Sequence, residues 1–226
     1  MLPWLNRPDA FPPPEQALRD PDGLLAAGGE LGADWLLSAY RQGIFPWYGP
    51  GQPVLWWSPD PRMILLPAEL HIPHSLTRVM RKAPFDLRWD TAFEQVMRAC
   101  AAPRKNQPGT WIGEEMIAAY VALHRAGHAH SMESWQDGQL VGGLYGVVIG
   151  RVFFGESMFA HRADASKVAF VHLVRSLAAK GCELVDCQMY TDHLARFGAR
   201  PVPRIEFLRR LSAALDGDID CWPGDL

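Results

Sequence analysis

Two short stretches place proton-handling groups where burial would tune them. RVFFGESMF (151–159) sets one carboxylate, Glu156, among Phe153, Phe154, Met158 and Phe159. The run reads as a buried strand, and burying an unpartnered carboxylate costs several kcal/mol. VDCQ (185–188) carries Asp186 and Gln188 two residues apart. In a strand those positions share a face, so an amide and a carboxylate side by side could share a hydrogen bond that orients the carboxylate. One buried acid alone is most simply explained by a core salt bridge to an arginine. Glu156, Asp186 and Gln188 converging from neighbouring strands point instead to a catalytic centre.

A second feature is aromatic. IFPWYGPGQPVLWWSPDPR (44–62) holds Trp47, Trp56 and Trp57 in a proline-rich frame, and PGTWIG (108–113) adds Trp111 at the entry to a helix. Such rings can pack on one another as core. They can also sandwich a nucleotide base, at roughly 1–3 kcal/mol per stacked base. Residues 74–105 carry a local net charge of +4 (Arg78, Arg81, Lys82, Arg88, Arg98, Arg104 and Lys105 against three acids), leaving −7 for the rest of the chain. A basic face on an acidic body can hold a phosphate backbone at one place. A base platform, a basic patch and buried acids together suggest a substrate tethered to a nucleotide.

The elements that must position these residues follow from periodicity. ADWLLSAYRQG (33–43) reads as a helix with Trp35, Leu36, Ala39 and Tyr40 inward; VLWWS (54–58) and RMILLP (62–67) read as strands. Residues 1–62, rich in Pro, Gly and Trp, are taken as a small N-terminal lobe, and 63–226 as the main domain. GLLAAGGELG (23–32) has neither GK[ST] nor GxGxxG, so its glycines are read as turn formers and not as a phosphate loop. Helices are expected over 73–82, 91–101, 114–127 and 164–181, with Asp164 capping the last, and strands over 85–90, 128–136, 139–150, 151–159 and 182–189. Thr191 is expected to cap a short helix, and a final helix follows Pro203. The order strand, strand, strand, helix, strand, helix in the second half implies an α/β layered domain with a mixed sheet.

Composition bounds the rest. The 226 residues are 48% hydrophobic and 21% charged, ordinary for a globular protein. No apolar run reaches the ~20 residues of a membrane span, and the N-terminus lacks a signal-peptide pattern, so a cytoplasmic protein is expected. The four scattered cysteines form no CxxC and read as reduced thiols. His124, His128 and His130 cluster, but no acid or cysteine stands at ligand spacing around them, so no metal is expected.

Taken together, GLLAAGGEL, LLSAYRQGIFPWY, VLWWSPDPR, LHIPHSL, GTWI, AYVALHRAGHAHSMESW, LVGGLYGV, FFGESMF, DASKVA and LVDCQ, spread over about residues 11–210, resemble the bacterial leucyl/phenylalanyl-tRNA–protein transferases. The resemblance implies a GNAT-like acyltransferase core behind the N-terminal lobe. It implies transfer of Leu or Phe (also Met) from aminoacyl-tRNA to the α-amine of proteins beginning with Arg or Lys, marking them for degradation by the N-degron route, without a cofactor. It implies that Glu156 helps hold the incoming basic residue and that Asp186 with Gln188 activates the amine. It places the terminal adenosine against Trp47 and Trp111 with Tyr40 and Tyr120 nearby. The leucyl side chain would sit among Leu144, Phe153, Met158, Phe170, Leu173 and Val185, with Arg78, Arg81 and Lys82 on the tRNA phosphates. A monomer is the default expectation. This chain departs from the family pattern at Thr191, where Asn is usual, and at His74 and Thr77, where basic residues can occur.

Phe153 and Glu156 would face opposite sides of a regular strand, yet both are assigned to one site. A bulge at or near Gly155 is therefore expected. Three other readings compete. An acetyl-CoA-dependent acetyltransferase on the same fold needs a Gly-rich turn, and 158–167 has no glycine. A non-catalytic tRNA-binding module would not need Asp186 and Gln188 in line. A related transferase building peptidoglycan bridges would be longer and carry a helical arm.

Overall fold

The computed structural model describes residues 1–103, 110–216 and 221–223. The element order is β1 (Trp4–Leu5), β2 (Leu24–Gly28), α1 (Ala33–Arg41), β3 (Phe45–Pro46), β4 (Leu55–Trp57), β5 (Arg62–Leu65), α2 (His74–Arg81), β6 (Asp86–Trp89), α3 (Phe93–Ala101) and α4 (Glu114–Arg125), then β7 (Ala129–Gln136), β8 (Gln139–Ile149), β9 (Val152–Ala160), α5 (Ala165–Ala179), β10 (Leu184–Gln188), α6 (Asp192–Ala195), β11 (Arg200–Val202) and α7 (Arg204–Leu215). Every helix expected from periodicity forms, within a few residues at its ends. The expected turn stretch 23–32 holds a strand instead. Its Leu-Leu-Ala-Ala run pairs with β4, while Gly28 and Gly29 supply the left-handed turn after it.

A four-stranded sheet, β1-β2-β4-β3, is built from the first 57 residues, and a seven-stranded sheet runs β11-β5-β10-β9-β8-β7-β6. The chain is thus an α/β protein with two mixed sheets. Neighbours in the large sheet are antiparallel except β9 and β10. A parallel pair needs a crossover, and α5 provides it. Asp164 precedes α5 with a φ of 65° but does not cap it; its carboxylate reaches forward to the Lys167 ammonium at 2.7 Å.

The strands are apolar on both faces because each face carries a core. Tyr145, Val147, Ile149, Val152 and Phe154 face α3 and α4, whereas Leu144, Val148, Phe153 and Val185 face α5. The first core also contains Trp35, Leu36, Tyr40 and Trp56, so the small sheet and α1 share it with the large sheet. The alternation along β9 then breaks. Phe153 and Met158 lie toward the same core although five positions separate them, and Phe154 and Phe159 share the other. The register explains it: Gly146 pairs with Gly155 but Tyr145 with Ser157, leaving Glu156 as an extra residue. This is the expected bulge, one residue beyond Gly155.

Candidate active site

β10 carries a second bulge beside the first. Asp186 pairs with Ile64 and Gln188 with Met63, so Cys187 is extra. The parallel pairing of β9 and β10 ends at Phe154 and Asp186. Past that point both strands bulge and part, and a cavity of about 1470 Å³ opens between them. The open end of a parallel strand pair is a common place for a ligand, since no ladder hydrogen bonds fill the gap.

Glu156 bridges the gap. Its Oε1 accepts from Gln188 Nε2 at 2.7 Å and from Tyr40 Oη at 2.7 Å, and its Oε2 from Tyr120 Oη at 3.2 Å. The two tyrosine hydroxyls also touch each other. Burial pushes the carboxyl up to about 7, against the pull of those three hydrogen bonds and with a further push from Asp186. It is a carboxylate at the edge of ionisation on a cavity wall.

Asp186 is differently placed. It is fully buried, and both oxygens are held by the fork of Arg62: Nε to Oδ1 at 2.8 Å and Nη2 to Oδ2 at 2.6 Å. Arg62 is itself fully buried, sandwiched between the Phe45 and Phe207 rings at 4.8 and 4.5 Å, and its Nη1 donates to Gly43 O at 3.1 Å. The side-chain pairing expected between Asp186 and Gln188 does not form. The bulge and a φ of 61° at Gln188 turn its amide away to Glu156, and its backbone N–H donates instead to Asp186 Oδ1 at 2.9 Å. The two carboxylates are therefore linked through Gln188, one by its main chain and one by its side chain. Sequence reasoning misses Arg62, although an arginine opening the apolar strand RMILL is the available signal.

Leu144, Phe153, Met158, Phe170 and Val185 line the cavity as expected, and so do Trp47 and Trp111. Leu144 and Met158 are cross-strand partners, as are Val185 and Phe153. Gly146 makes room for the Phe153 ring: a Cβ there would lie 2.4 Å from Phe153 Cζ. Leu173 is not on the wall; it is buried in the core beneath α5. Tyr40 and Tyr120 are not among the residues that line the cavity; both donate to Glu156. Trp57, Tyr145, Ser166 and His193 line the cavity without having been expected there. Thr191 also lines it, and its hydroxyl caps α6 by accepting from Leu194 N at 3.2 Å.

Away from the cavity, Arg78, Arg81 and Lys82 stand on α2 and at its end, with His74 and Thr77 on the same helix. The rest of the basic stretch is committed elsewhere: Arg88 pairs with Asp86 and covers Trp135, and Arg98 bonds Glu94 and Glu114. Arg104, Lys105, Pro108 and Gly109 lie outside the described residues. The histidine reading needs correction. Asp90, remote in sequence, brings Oδ2 to 2.8 Å from His130 Nδ1, and with His124 forms a trio whose donor atoms lie within 4.8 Å of one another. Local spacing could not reveal it because the acid arrives from the neighbouring strand's end.

A polar cluster at the split of a parallel strand pair, flanked by an apolar pocket and tryptophans, gives this mixed α/β body a candidate ligand-binding site. Residues 64–212 match the family model described as leucyl/phenylalanyl-tRNA protein transferase, and residues 29–60 match the N-terminal domain of the same family. The chain belongs to that family. It is 58% identical to the leucyl/phenylalanyl-tRNA–protein transferase of Nitrosomonas europaea over 98% of this chain and 95% of that one. It is 60% identical to the one from Aromatoleum aromaticum over 94% and 90%. A solved conserved protein from Staphylococcus epidermidis aligns at 10% identity with a TM-score of 0.40, over 80% of this chain and 68% of that one, which adds nothing to the assignment. The protein is an aminoacyltransferase acting on aminoacyl-tRNA and protein substrates. Among the described residues, no helix is long and apolar enough to cross a membrane.

Proposed function

We propose that the enzyme moves Leu or Phe, and also Met, from tRNA to the α-amine of proteins that begin with Arg or Lys, as a cytoplasmic monomer serving N-degron breakdown. The observation that carries this reading is the Glu156–Gln188 bridge at the junction of an apolar pocket and a tryptophan-lined mouth. The donor side chain enters among Leu144, Phe153, Met158, Phe170 and Val185. Such a pocket separates similar shapes by only ~1–3 kcal/mol per methylene, which suits several unbranched or aromatic donors. The terminal adenosine lies against Trp47 and Trp111, and the acceptor stem reaches Arg78, Arg81 and Lys82. Residues 1–62 supply the Trp47 wall and residues from 63 onward the catalytic strands.

The reaction exchanges an ester for an amide and needs no ATP. The acceptor nitrogen attacks the ester carbonyl, the C–N bond forms, the C–O bond to the ribose breaks, and the proton lost by the amine is balanced by one gained by the ribose oxygen. A free α-amine with a pKa near ~8 already has a usable neutral fraction at pH 7. Positioning therefore carries much of the rate. Asp186 acts through Gln188: pinned by Arg62, it fixes the turn that presents Gln188 to the amine. Glu156 receives the acceptor's cationic end in surroundings that exclude water and strengthen the attraction.

The test is a transfer assay without ATP, with radiolabelled Leu-tRNA and two peptides differing only in starting with Arg or Ala. Label on the Arg peptide alone is expected. Label on neither peptide, with tRNA still bound, overturns the proposal.

A further inference from the structure

Among the described residues, four buried side-chain polar atoms lack a hydrogen-bond partner, and two of these, Tyr145 Oη and His193 Nε2, belong to residues on the wall of the main cavity. Tyr145 is the more telling. It is fully buried, so an unmade hydrogen bond there costs about 1–3 kcal/mol. Its ring is held edge-on by Tyr120 and Phe93, at centroid distances of 5.8 and 5.9 Å. Its cross-strand partner is Ser157, next to the bulged Glu156. Burial and the Glu156 charge, with Cys100 nearby, hold its phenol well above the usual range, so it stays neutral at working pH. Among the described residues its hydroxyl has no protein hydrogen-bond partner, so it is available to a group that arrives with a ligand.

Lone-pair bookkeeping at Glu156 says what arrives. A carboxylate offers about four acceptor sites, and Tyr40, Gln188 and Tyr120 occupy three. One remains, on Oε2. A guanidinium brings five N–H donors and an ammonium three, so Glu156 alone leaves most of them without a protein partner. We propose that the Tyr145 hydroxyl is a second acceptor for the basic side-chain head of the acceptor's first residue, completing with Glu156 a two-point cation site. An anionic ligand group does not fit there, because it would face the Glu156 carboxylate. This inference rests on the reading of Glu156 as the acceptor-side contact.

The test is Tyr145→Phe, which deletes one oxygen and keeps the ring. A hydroxyl with a structural partner would be missed by the fold; an orphan would not. The expected result is a melting temperature unchanged or raised and a KM for the Arg-starting peptide raised about tenfold to hundredfold, the range for a hydrogen bond to a charged donor. The kcat should stay within about twofold, and the KM for Leu-tRNA should not move. A clearly lowered melting temperature, or a fall in kcat with acceptor KM unchanged, overturns the proposal. Glu156→Gln measured in parallel separates the two levels. If it raises acceptor KM and Tyr145→Phe does not, the Tyr145 role alone fails. If neither variant moves acceptor KM, the Glu156 reading itself fails.

Discussion

Replacing Glu156 by Gln should make the protein more stable above neutral pH while impairing it as an enzyme. The carboxyl is raised from 4.5 in the unfolded chain to about 7 in the fold. A raised pKa means that the fold disfavours the charged form. The protonated group costs nothing below pH ~4.5, and the penalty grows as pH rises through about 7, where it levels off. At ~1.36 kcal/mol per unit, a rise of that size corresponds to about 3 kcal/mol of lost stability at pH 8. Gln keeps the shape and the bridge. Its oxygen still accepts from Tyr40 and Gln188, and its amide donates to Tyr120, whose own proton turns to Tyr40. Urea unfolding of both proteins at pH 8 and pH 5 is the assay. Glu156→Gln should gain up to about 3 kcal/mol at pH 8, and that gain should shrink to about a quarter by pH 5. At roughly 2–4 °C per kcal/mol for a chain of this size, melting curves should show it as well. A variant less stable than the parent at pH 8 would refute the reasoning, because the three hydrogen bonds would then outweigh the burial penalty.

The remaining predictions concern the neighbours. Arg62→Ala strands a fully buried Asp186 carboxylate and should cost about 3–5 kcal/mol in denaturant unfolding; adding Asp186→Ala to it should recover part of that loss. Trp111→Ala removes a wall of the cavity mouth and should raise KM for charged tRNA by roughly 1–3 kcal/mol equivalent, with kcat on saturating tRNA little changed. Neutralising Arg78, Arg81 and Lys82 together at α2 should weaken tRNA binding and flatten its salt dependence, by about 0.7–0.9 in the log–log slope for each phosphate no longer neutralised. An unaltered slope would remove α2 from the tRNA surface.

Much of this arrangement is legible in one dimension. The helices carry apolar residues at helical spacing, and α4 buries Met116, Ile117, Tyr120 and Leu123, as its pattern demands. The bulge in β9 can be inferred because two residues of one site stand at incompatible parity. The partners of Asp186 and Glu156 are not legible. Strand alternation assigns the Gln188 side chain to Asp186, and the left-handed turn at that residue sends the amide to Glu156 instead. Leu173 is assigned to the pocket through the family resemblance, and the rotation of α5 puts it in the core.

The elements follow from the linear chain, because propensity and periodicity act over neighbouring residues, and the motifs carry the family resemblance that names part of the cavity wall. Which carboxylate is neutralised and which is poised follows only from folding. Arg62 meets Asp186 across 124 residues, Tyr40 meets Glu156 across 116, and Asp90 meets His130 across 40. Such pairings have no local signal. They arise when strands and helices distant in the chain pack together, and the burial that follows sets the charge each group can hold.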